Sequence, residues 1–105
     1  MEKEYIYNIL TRRGYDAKSA SLIISELQDL RNPLDVYFEQ WVKDESFTQD
    51  YLSNGYSIKQ LMEERRMTYP AALLTMDWII KEPESAIKSL KRCHYCPKKF
   101  SHRVN

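Results

Sequence analysis

The sequence predicts an all-α protein, a bundle of six or seven short helices followed by a basic C-terminal tail. Three observations point there: only 2 of the 105 residues are glycine, β-branched runs are short, and apolar residues recur three and four apart rather than alternating. A chain of 105 residues with 43% apolar content can bury one core without disulfide stapling. Its uninterrupted apolar stretches are only a few residues long, far short of the roughly 20 that span a bilayer. The start, MEKEYIYNIL, has acidic residues where an export signal needs a basic region and then an unbroken apolar one. A cytoplasmic chain is the expectation, with one helical domain over 1–90 and a tail over 91–105.

In the first segment Tyr5, Ile6, Ile9, Leu10 and Arg13 share one stripe, and Gly14 stands where a left-handed C-cap ends a helix of about 2–13. Asp16 can accept the free amides of a second helix over about 17–30, with Ala20, Ile23, Ile24, Leu27 and Leu30 inward. Asn32 as N-cap and Pro33 at the first helical position open a third helix to about 43, whose face is Leu34, Tyr37, Phe38, Trp41 and Val42. Ser46 and Gln49 have capping-box spacing, which predicts a short fourth helix carrying Phe47 and Tyr51 inward until Asn54 and Gly55 stop it. Ser57 and Gln60 repeat that spacing ahead of Ile58, Leu61 and Met62. Thr68 caps a helix of about 69–81 that ends before Pro83, and a last helix carries Ala86, Ile87 and Leu90 inward.

The net charge of +1 hides a separation. Residues 88–105 carry Lys88, Lys91, Arg92, Lys98, Lys99 and Arg103 and no acid, while residues 1–87 carry 10 bases against 15 acids. An acidic body with a basic tail suits phosphates, an acidic partner surface or the body of a second copy.

Residues 57–78 place Leu61, Met62, Met67, Thr68, Ala72 and Met76 at the anchor and cap positions of two helices joined by a tight turn. This stretch, about a fifth of the chain, resembles a helix-turn-helix motif, which implies docking of the second helix in a DNA groove. It departs from the pattern at Arg66, where the turn usually has Gly. The second helix offers Tyr69, Pro70, Ala71, Leu73, Leu74, Thr75 and Asp77 rather than the Arg, Lys, Asn or Gln that read base edges. A packing unit that reads no DNA fits those residues better.

The same helix is apolar nearly all round. Between 71 and 80 only Thr75 and Asp77 are polar, so neighbours must enclose it or a partner must cover one side. Leu74 and Trp78, four apart and opposite Ala72, Met76 and Ile80, are the candidates for contact with another protein or with a second copy in a homodimer.

In the tail, Cys93, Cys96 and Phe100 have the Cys-x2-Cys-x3-Phe spacing of a zinc-finger knuckle, with His102 as a third ligand. Structural zinc takes four, and the paired histidines of a zinc finger, about a dozen residues further on, do not fit in the nine residues after Cys96. The expectation is therefore no cofactor, with zinc at Cys93, Cys96 and His102 as the alternative.

Both histidines lie in that tail, and the body has no Gly-rich phosphate loop, nucleophile elbow or HExxH helix. The residues predict a noncatalytic interaction protein, an adaptor or regulator of the kind found among bacterial or phage accessory genes. The rival expectation is a DNA- or RNA-binding regulator that docks the helix pair 57–81 and neutralises phosphates with Lys91, Arg92, Lys98, Lys99 and Arg103.

Overall fold

A computed structural model describes residues 2–92. Among them are six helices and one two-stranded hairpin, so the fold is predominantly all-α. No described helix is long and apolar enough to cross a membrane. The residues group into two units that meet in sequence between Thr48 and Gln49.

The first unit holds α1 (Lys3–Arg12), α2 (Ala17–Leu27) and α3 (Leu34–Lys43). Gly14, at φ +107°, ends α1 as its sequence position predicts. The Tyr15 amide donates to the Leu10 carbonyl and the Gly14 amide to the Thr11 carbonyl, the paired bonds of a Schellman ending. Two residues on, the Asp16 carboxylate accepts from the Ser19 amide at 2.7 Å and starts α2. Helix α3 begins one residue later than expected: Pro33 is its N-cap rather than its first helical residue. The buried side chains of this unit include Ile6, Leu10, Ile23, Leu27, Leu34, Phe38 and Trp41. Each large apolar side chain fully removed from water contributes roughly 1.5–3 kcal/mol.

Residues 44–57, which run from the end of the first unit into the second, correct the expected short fourth helix. Ser46 caps nothing further on, because its amide and its hydroxyl both donate to Asp44 Oδ1, at 3.1 and 2.8 Å. Tyr51 is followed by a hairpin instead, β1 (Leu52–Ser53) with β2 (Tyr56–Ser57), in which Leu52 pairs with Ser57 and Ser53 with Tyr56. The turn residues Asn54 and Gly55 both have positive φ, 52° and 84°, as the tight turn matching strand twist requires.

Helices α4 (Ile58–Arg65), α5 (Tyr69–Lys81) and α6 (Pro83–Arg92) complete this unit. The first three amides of α4 all find acceptors: Ile58 on the Tyr51 carbonyl, Lys59 on Asp50 Oδ1 and Gln60 on Ser57 Oγ. The reciprocal half of the predicted capping box does not form, since Gln60 Nε2 reaches Glu64 Oε1 at 3.5 Å. The Tyr69 hydroxyl donates to the Gln49 carbonyl at 3.1 Å. Residues 49–51 thus bind the starts of both α4 and α5 without being helix or strand themselves. The core includes Ile58, Leu61, Met67, Leu73, Met76, Ile79, Ala86 and Leu90.

Candidate functional site

The helix pair that resembles a helix-turn-helix is α4 and α5. Arg66 makes the turn in a left-handed conformation, φ 57° and ψ 36°, the backbone state that glycine adopts most readily. Thr68 then caps α5, its Oγ1 accepting from the Ala71 amide at 3.3 Å, and the buried Met67 anchors the turn.

Helix α5 is enclosed along most of its length. Every residue from Tyr69 to Asp77 is buried, and so is Ile79. Its two polar interior residues are satisfied locally. Thr75 Oγ1 donates to the Ala71 carbonyl at 2.8 Å, while the Asp77 carboxylate pairs with Lys81 Nζ at 2.8 Å.

Of the two residues expected to bind a partner, Leu74 is only 6% exposed and belongs to the packed part of α5. Trp78 is half-buried, and its indole Nε1 donates to Glu82 Oε1 at 3.0 Å. The expected pair is divided between core and surface. That division follows from helix geometry: the enclosed stretch ends at Asp77, and Trp78 is the first residue beyond it.

Lys91 and Arg92 are exposed at the end of α6. With Lys88 and the half-buried Ile87, Lys91 lines a groove of about 550 Å³ that also touches Pro83 and Asn54. Lys98, Lys99, Arg103, Cys93, Cys96 and His102, named above for phosphate contact or zinc, lie outside the described residues. Among the described residues no three His, Cys, Asp or Glu side chains converge as metal ligands would.

Spacing along the sequence gave no hint of the cluster around Trp41. The Tyr15 ring meets the indole edge-on at a centroid distance of 6.4 Å, and Phe38 stacks on it at 6.2 Å. Burial is the main reason the Tyr15 hydroxyl titrates above its ordinary value, with the Glu45 carboxylate adding to the effect and Arg13 opposing it. Two exposed carboxyls are held below the ordinary range by hydrogen bonds: Asp16 chiefly by the Ser19 amide, Asp44 chiefly by the Ser46 hydroxyl. Both stabilise local turns. Comparison of the chain with protein-family models, with curated proteins and with solved structures gives no match in any of the three.

Proposed function

We propose that the chain is a small noncatalytic interaction protein, an adaptor or regulator that binds another protein through the surface around Trp78. The observation that carries this reading is the state of that indole. It brings a large aromatic to the surface near the end of a mostly enclosed helix, with its Nε1 hydrogen-bonded to Glu82. Trp is among the residues that dominate binding energy at interfaces. A side chain already held in place also loses less freedom when a partner covers it.

The burial of α5 weighs against the nucleic-acid reading, because a helix that reads a groove must offer it an open face. What remains of that reading is electrostatic contact by the basic residues from Lys88 onward.

Two measurements on the full chain test the proposal. Wild type and Trp78→Ala, compared at equal folded fraction, serve as baits in a bacterial lysate; the expected result is a protein retained by wild type and reduced about tenfold or more by the variant. Sedimentation across a concentration series reads whether that partner is a second copy. In parallel, a random-sequence DNA duplex is titrated over a salt series. A slope of roughly −3 to −5 in log K against log salt, flattened by Ala at Lys91, Arg92, Lys98 and Lys99, would overturn the proposal in favour of nucleic-acid binding.

A further inference from the structure

The first unit has an open groove that none of its own helices fills. Two adjoining depressions, about 340 and 220 Å³, share Lys3, Ile24 and Gln28 and run across α1, α2 and α3. Ile6, Ile24 and Phe38 form the apolar floor. Ile6 and Phe38 are 7% and 8% exposed, and Ile24 is half-buried, so Ile24 offers the most accessible part of that floor. The exposed carboxylates of Glu4, Asp35 and Glu39 line the groove, with Lys3 as a single counterweight.

Tyr5 on α1 and Val36 on α3 are 48% and 45% exposed. The helices that border the groove therefore leave apolar surface outside it as well. Residues 2–48 carry nine acids against six bases, so the field around the groove has the sign of its rim.

We propose that this groove docks a basic peptide segment of a partner protein, one that seats a large apolar side chain on Ile6, Ile24 and Phe38 and sets lysines or arginines against Glu4, Asp35 and Glu39. An apolar floor with charge on its rim is the usual anatomy of a peptide site: the floor supplies most of the affinity, and the rim selects the partner's sign and speeds encounter. A nucleic acid is disfavoured by the same carboxylates, which repel phosphate. The groove residues belong to the first unit and Trp78 to the second, so the two proposals rest on different side chains and are tested by different variants.

The test titrates the synthetic peptide KKFLKR into the full chain and follows backbone amide shifts by NMR. Shifts centred on Ile24, Gln28 and Phe38 are expected. They should weaken roughly tenfold or more in the exposed triple variant Glu4→Lys, Asp35→Lys, Glu39→Lys, since three attractive contacts become repulsive. They should also vanish with KKSSKR, which keeps the charge and removes the apolar anchor. The Trp78→Ala chain should bind KKFLKR as wild type does.

Equal binding of KKSSKR would overturn the proposal by reducing the contact to diffuse charge attraction. So would full binding to the triple variant, or shifts centred elsewhere. The same amides shifting on concentration of the protein alone would assign the groove to a second copy and equally overturn it.

Discussion

The guanidinium of Arg13 stands 4.8 Å from the centre of the Trp41 indole ring while its Nη1 donates to the carbonyl of that same residue at 3.1 Å. Its Nη2 donates to the Val42 carbonyl at 2.6 Å. Arg13 is the C-cap of α1, yet its side chain serves the last turn of α3, where carbonyls lack helical partners and a positive charge meets the negative end of the helix dipole.

Replacing Arg13 should therefore loosen the contact between α1 and α3. Arg13→Ala removes two charge-assisted bonds and a cation–π contact, and is expected to cost about 1–3 kcal/mol. Arg13→Lys should recover less than half, because an ammonium cannot present two parallel donors and lie along a ring at once. Urea unfolding followed by circular dichroism measures both.

The turn before α5 should gain from glycine. Arg66 holds a positive φ of 57°, so Arg66→Gly is expected to stabilise by about 0.5–1 kcal/mol, the strain relieved exceeding the added freedom of the unfolded chain. Gly55→Ala should move the other way by about 1 kcal/mol. Nothing lies within 4 Å of an added Cβ there, so that cost is purely backbone strain. Thermal melts of the two variants against wild type check both signs.

Leu74 and Trp78 should separate in mutagenesis although they are one helical turn apart. Leu74→Ala opens a cavity in the packed part of α5 and is expected to lower stability by about 2–4 kcal/mol. Trp78→Ala, from a half-buried site, should cost about 1 kcal/mol and show its larger effect on partner retention. A Trp78 variant with unchanged partner retention would remove the indole from the interface.

The Asp77–Lys81 pair should be asymmetric. The Asp77 side chain is 5% exposed and that of Lys81 35%. Lys81→Ala removes one ion-pair partner from a buried carboxylate and should cost about 1–2 kcal/mol, reduced from the value for a fully buried pair because Lys81 reaches solvent. Asp77→Asn should cost less, since the released ammonium is hydrated. Chemical denaturation of both variants gives the order.

Alkaline pH should strain the first unit. The Tyr15 hydroxyl titrates above its ordinary value near 10, so the folded state holds its proton more tightly than the unfolded chain does. Its contribution is fully present below that ordinary value and is lost as pH rises through the folded one. Melting temperatures of wild type should fall more steeply above about pH 10 than those of Tyr15→Phe. Parallel slopes would exclude Tyr15 as the cause.

Several elements could be found in the sequence because their causes are local. Gly14, Asp16, Ser57 and Thr68 act on amides or carbonyls within a few residues, and spacing reveals such contacts. The hairpin was legible too, since Asn54-Gly55 between Leu52 and Tyr56 is a strong turn signal. It was masked by the Ser46–Gln49 spacing, whose cap loses to the closer Asp44 carboxylate. Arg13 could not be read this way. Its acceptors lie 28 and 29 residues on, and on a helical stripe it looks like any flanking base. The groove over Ile24 and Phe38 depends on three helix surfaces at once, which no periodicity within one helix encodes.

Residues 49–51 supply two main-chain carbonyls and one carboxylate to the beginnings of α4 and α5. The two bonds to main-chain carbonyls, from the Ile58 amide and the Tyr69 hydroxyl, tie that stretch to both helix starts. In deuterium, the amide of Ile58 should therefore exchange more slowly than that of a frayed helix end, while Lys59, held by an exposed carboxylate, exchanges faster. An unstructured-looking connector is in this sense a cooperative part of its unit, and a protease should find residues 49–51 no easier to cut than a helix.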